Sequence, residues 1–211
     1  MPMSILSLSS NTGDKTSNAK VIQQCLDRPV LIHSIAEGLR TGSKNEQLDC
    51  ALILVELARK HSDHLVGFVG DFLKLIRASQ PRMVRLGLDG LLAITSKVPA
   101  AIYAEKTFLL SLTEKYGAIA LDCASVLAAL CQQNAMYRGQ LSFEILKILA
   151  KVPGEELEKW LKKVIPAFAG SPELIKKLHQ TLMDRSQNLS NETKQTINTI
   201  LAKKLKSRLT V

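Results

Sequence analysis

Between Asn45 and Val152 the chain repeats itself three times, and that period restricts the fold more than any other feature. The row Leu48-Asp49-Cys50-Ala51-Leu52-Ile53-Leu54-Val55-Glu56-Leu57-Ala58 returns as Val84 to Ile94 and again as Leu121 to Cys131. Successive rows start 36 and 37 residues apart. Their shared apolar columns fall at i, i+3, i+6, i+7, i+9 and i+10, the spacing of one α-helical face. A second apolar helical stretch follows each row, anchored near Phe72, Phe108 and Phe143. Such a period marks paired helices that bury their faces only by stacking on the next pair, and the stack presents a surface. Ala51, Gly87 and Ala124 share one column. Small residues there admit a neighbouring helix closely, which accounts for a mid-helix glycine that costs about 1 kcal/mol relative to alanine.

Composition agrees with a helical core. The 211 residues are 46% hydrophobic but only 4% aromatic, and 22% are charged, so the bulk of the chain is not expected to be disordered. The net charge of +9 favours acidic partners: nucleic acid, an anionic membrane face or an acidic protein surface. Cys25, Cys50, Cys123 and Cys131 lie far apart with no CxxC spacing, and Cys50 and Cys123 share a repeat column. They read as small buried hydrophobes, which points to a reducing compartment. The opening residues lack the basic and continuous apolar regions of a signal peptide. No run approaches the ~18 apolar residues that span a bilayer. The expectation is a soluble, cytoplasmic protein.

Along the chain, residues 1–17 read as a flexible leader rich in Ser, Thr, Asn and Gly. Helical pattern begins near Asn18 with Val21, Ile22, Cys25 and Leu26, breaks at Arg28-Pro29, and resumes from Leu31 to Thr41-Gly42. Ser43 and Glu46 have capping-box spacing. The helix they start runs to about Lys60, with His61 to His64 as a turn and a second helix from Val66 to Ala78. Pro81 takes a first helical position, where its missing N–H costs nothing. Lys97-Val98-Pro99, Lys115-Tyr116-Gly117 and Gln132 to Gly139 are the expected turns of the next two hairpins. Past Val152 the register loosens. Pro153-Gly154 starts a helix that Pro166 ends or kinks, Ser171-Pro172 starts another, and Ser190 or Asn191 caps a last one carrying Ile197, Ile200, Leu201 and Leu205. From Gly154 onward there are 11 basic and 6 acidic residues, so +5 of the charge sits in this segment.

These rows resemble HEAT repeats and the related armadillo repeats. Pro81-Arg82-Met83-Val84-Arg85 is the stretch most similar to the family pattern, and the Lys97-Val98-Pro99 turn is of the same kind. The resemblance is good over 45–152 and looser over 18–44 and 153–206. It implies an all-α, right-handed solenoid of about five stacked antiparallel helical hairpins in one elongated domain over 18–207, with divergent basic repeats at 153–207. The first and third rows lack the Val-Arg pair, so the inter-repeat Arg–Asp ladder typical of the family has no evident source in them. Proteins of this class usually bind other proteins and less often nucleic acid.

No catalytic constellation is visible. Gly67 to Gly70 lies in an apolar helix without the following Lys-Ser/Thr of a phosphate loop. His61 and His64 are three apart but have no further His or Cys at ligand spacing. A base-excising HEAT-like glycosylase would need aromatic faces around an extruded base, whereas Trp160 sits on an apolar stripe and Asp89 is isolated. A tubulin-binding array would need basic turns, and these hold only Lys60, His61, Lys97 and Arg138. Lys203-Lys204-Leu205-Lys206 reads as the basic side of a terminal helix in preference to a nuclear-import signal. The expectation is therefore a non-enzymatic interaction scaffold without metal, cofactor or small-molecule substrate, presenting a basic repeat surface to an acidic protein. Its contact face is expected at Lys74, Arg77, Lys106, Lys115, Lys147, Lys151, Lys176 and Lys177 on the second helices. The alternative is backbone-directed nucleic-acid binding.

Overall fold

The computed structural model describes residues 15–114 and 117–185, with isolated positions 194, 195, 199 and 202. Among the described residues every regular element is a helix. The chain divides into two compact units, Met1–Ile102 and Tyr103–Val211.

The first unit opens with α1 (Lys15–Asp27) and α2 (Leu31–Thr41), separated where Pro29 forbids helix in its predecessor. Helix α1 begins three residues before the expected start at Asn18, and positions 1–14 of the expected leader lie outside the described residues. Helix α3 (Lys44–Lys60) is started by a complete capping box. Ser43 Oγ accepts from the Glu46 amide at 3.5 Å, and the Glu46 carboxylate accepts from the Ser43 amide at 2.7 Å. This contact holds the Glu46 carboxyl below its usual pKa. A 3-10 helix (Ser62–Phe68) leads into α4 (Val69–Leu75), so the expected turn at His61 to His64 is mostly helical and the expected second helix is split. Helix α5 (Pro81–Ile94) starts at its proline as expected. Helix α3 packs on α2 and α5, and α4 packs on α5.

Helix α6 (Pro99–Ala104) straddles the division, and the second unit continues with α7 (Lys106–Leu112) and α8 (Ala118–Cys131). Gly117 precedes α8 at φ 140°, a backbone region open in practice only to glycine. Then come α9 (Ala135–Leu149), α10 (Leu157–Val164) and α11 (Pro172–Arg185). The turn before α9 is much shorter than the stretch to Gly139 that the sequence suggested: Ala135 is already helical, and Asn134 Oδ1 caps it by accepting from the Tyr137 amide at 2.8 Å. Helix α10 ends at Val164, and Pro166 lies in a 3-10 turn (Ile165–Phe168). Ser171 caps α11 through the Leu174 amide. Helix α8 is buried nearly all round, with α9, α7 and α10 against it.

The repeat columns are the core. Leu54, Leu91 and Leu127 are fully buried, as are Ala51, Cys50, Cys123 and Ala124. A Cβ on Gly87 would lie 2.8 Å from Leu75 Cβ and 2.9 Å from the Ile76 amide nitrogen, so the shared small-residue column does admit close packing. Gly90 is tighter still, because the Phe72 ring occupies the space its side chain would need. One anchor is misplaced: Phe143 is 41% exposed, whereas Phe72 is buried.

Candidate binding surface

In the first unit two carboxylates are buried while others, Asp63 and Glu37 among them, are exposed. Asp49 and Asp71 are withdrawn from the surface. Arg40 reaches Asp71 with two donors, Nε to Oδ1 at 2.8 Å and Nη2 to Oδ2 at 2.7 Å. Burial raises the Asp49 carboxyl pKa, and the field of Arg82 offsets part of that. Arg59 on α3 meets Asp89 on α5 at 3.0 Å. Lys97 meets Asp63 at 2.7 Å, and its ammonium holds that carboxyl below the usual range. Inter-hairpin Arg–Asp pairs therefore exist, and Arg40 and Arg59, which lie outside the Val-Arg pair of the second row, supply two of them. Of the expected contact residues, Lys74 and Arg77 are exposed here, and Arg77 donates to the Leu73 carbonyl at 2.8 Å.

The second unit gathers most of the others around α9. Tyr103 on α6 stacks on Tyr137 of α9, with centroids 4.0 Å apart and planes 21° from parallel. Its hydroxyl hydrogen-bonds Gln140, one turn further along α9. Lys106 Nζ stands 4.4 Å from the Tyr103 centroid. On α11, Lys177 Nζ lies 4.6 Å over the Phe143 ring and 2.7 Å from Glu173 Oε1. The same ammonium depresses the Glu173 carboxyl. Lys147 pairs with Glu144 at 2.9 Å, while Lys151 and Lys176 are exposed. Lys115 lies outside the described residues, as do Lys203, Lys204 and Lys206.

Helix α11 is tied to α9 at two levels. Lys177 covers Phe143, and Arg185 donates to the Leu149 carbonyl at 2.6 Å and to that of Val152. The Leu149 carbonyl is one freed at the end of α9, where a cation also suits the helix dipole, and that of Val152 lies three residues beyond the helix. The partners are separated by 36 residues for Leu149 and 33 for Val152. Sequence reasoning missed Tyr103, Gln140 and the exposed Met136 and Phe143 as parts of this face. The 37-residue step from Tyr103 to Gln140 was the signal that could have found the first two.

Trp160 is fully buried and its indole N–H donates to Glu156 at 3.1 Å, so it offers no face to an extruded base. Asp89 accepts from Arg59. Of the basic turn residues, Lys97 is paired with Asp63, and Arg138 Nε donates to the Cys131 carbonyl at 3.2 Å. The His61 and His64 rings are 6.1 Å apart, and among the described residues no three His, Cys, Asp or Glu side chains converge on a metal-sized site.

No family model and no curated protein matches this chain. Among solved structures it is similar to a designed armadillo repeat protein, YIII(Dq.V1)4CPAF, in complex with the peptide (KR)4. The two share 14% identity and superpose with a TM-score of 0.69 over 95% of this chain and 98% of that one. At that identity the likeness establishes the fold.

Proposed function

We propose that this chain, an all-α helical repeat protein of the armadillo type, is a non-enzymatic scaffold that binds an acidic protein segment. The observation that carries the reading is the placement of charge. Lys74, Lys147, Lys151 and Lys176 are exposed on second helices or the turns after them, while Asp49 and Asp71 are buried. Burying those two carboxylates removes negative charge from the exposed surface of the first unit. The similar solved structure holds a (KR)4 peptide, which supports peptide binding as a use of this fold. A chain of net charge +9 calls for a ligand of the opposite sign. The four free, buried cysteines support a cytoplasmic location.

Nucleic acid is the second reading, favoured by the same burial of Asp49 and Asp71. The experiment that separates the two is retention of the purified chain on duplex DNA or heparin at low salt, set against capture of a defined acidic protein. Capture without retention supports the scaffold. Retention without capture overturns it.

A further inference from the structure

We infer that the face of α9 between Lys106 and Lys177 is a preorganised receptor for a carboxylate-rich peptide carrying one large apolar side chain. The inference rests on the acidic-partner reading above and names the site and the chemistry it accepts.

A lysine ammonium ordinarily wanders on four rotatable bonds, and fixing it costs binding energy. Two lysines on this face are already fixed. Lys106 Nζ stands 4.4 Å from the Tyr103 ring centroid, and Lys177 Nζ 4.6 Å from that of Phe143. Tyr103 is itself held by its stack on Tyr137 and by its bond to Gln140. Gln140 and Phe143 are three residues apart on α9, about 4.5 Å of helical rise, so the two supports flank one short stretch of that helix. Glu173 pairs with Lys177 from an exposed position, its side chain 75% accessible, and a ligand carboxylate can replace it at little cost.

Beside the cations α9 also exposes apolar side chains. Met136 is 56% and Phe143 41% exposed. Gly139 lies between them on α9 with open space above it, which leaves the helix surface low at that point. The pattern is two placed cations with a shallow apolar floor beside them. It matches carboxylates that flank an apolar side chain.

The rings also argue against nucleic acid as the occupant. Single-stranded binding sites stack bases on open aromatic faces. Tyr103 has Tyr137 on one face and Lys106 on the other, and Lys177 lies over Phe143. These faces serve to position cations.

The test uses the full chain and three fluorescein-labelled probes followed by anisotropy: the peptides EEEFEEE and EEEGEEE, and an oligothymidine of similar charge. The expected result is tightest binding of EEEFEEE, weakened about fivefold or more by each of Lys106→Gln, Lys177→Gln and Phe143→Ala. Lys20→Gln, at an exposed lysine of α1 outside the expected contact face, should leave it unchanged. Lys106→Gln and Phe143→Ala lie on different helices, so misfolding of one leaves the other informative, and a thermal melt reports folding. Equal affinity for the two peptides overturns the apolar floor. EEEFEEE binding that ignores the α9-face variants but falls with Lys74→Gln overturns the site and leaves the acidic-partner reading standing. Preference for oligothymidine, or no binding of either peptide, overturns both.

Discussion

Arg40, exposed at the end of α2, closes two N–H donors of its guanidinium, on Nε and Nη2, onto the buried carboxylate of Asp71 in α4. The arginine side chain is 44% accessible and the aspartate 5%. The pair is thus a lid over a charge that would otherwise be buried alone. Removing one partner of a fully buried pair costs about 3–5 kcal/mol; the accessibility of Arg40 lowers the expected cost of Arg40→Ala to about 1–3 kcal/mol. Arg40→Ala with Asp71→Leu should recover much of the loss, because no charge then remains to be solvated. Urea denaturation of the two variants checks this, and equal losses in the single and double variants would contradict it.

The glycines make opposite predictions within one fold. Gly87→Ala should destabilise by about 1–3 kcal/mol, because the new methyl would meet the Ile76 backbone nitrogen, which cannot give way. Gly139→Ala should stabilise by about 0.5–1 kcal/mol, since it sits mid-helix with nothing above it. A pair of melting curves shifted in the same direction would show that the packing of α5 against α4, or the exposure of α9, is misassigned.

The repeat rows were legible because helix burial is periodic and three rows could be compared. Their columns are the buried core, Leu54, Leu91 and Leu127 included. The second helices were less legible, and Phe143 shows why. Phe72 and Phe108 lie fourteen residues beyond the last residue of their rows, Ala58 and Ile94, but Phe143 lies twelve beyond Cys131. Two residues turn a helix by about 200°, enough to carry the ring from core to solvent. The residue fourteen beyond Cys131 is Ile145, and Ile145 is the buried one. The Arg–Asp pairs were illegible for a related reason. Their 31- and 30-residue separations are shorter than the repeat, so no column comparison aligns donor with acceptor. As for the binding face, its lysines were visible as charges, but the rings that hold them come from neighbouring helices and become neighbours only in the fold.

The thiols give a pH dependence. Burial pushes Cys50, Cys123 and Cys131 up to about 12 from an ordinary value of 9.0. Unfolding releases that restraint, so the unfolded chain loses these protons first. Their contribution to stability is fully present below pH 9 and is lost as pH rises toward 12. The chain should weaken in denaturant across that window, and Cys50→Ala should weaken less steeply there whatever its packing cost at neutral pH. Native protein should also resist alkylation at neutral pH. Prompt labelling of Cys123 or Cys131 in the folded chain would count against this burial.

The central claim, an acidic protein ligand, is tested most directly by salt. Affinity would be measured for an acidic peptide and for duplex DNA of similar charge, from about 0.05 to about 0.5 M salt, as the Debye length falls through about 10 Å. The account predicts tighter binding of the peptide near physiological salt, with a shallow slope and a salt-resistant remainder from apolar contact. DNA should bind more weakly, with a log–log slope near −0.9 per phosphate neutralised. Tighter binding of DNA with that slope, or peptide binding indifferent to salt, would contradict it.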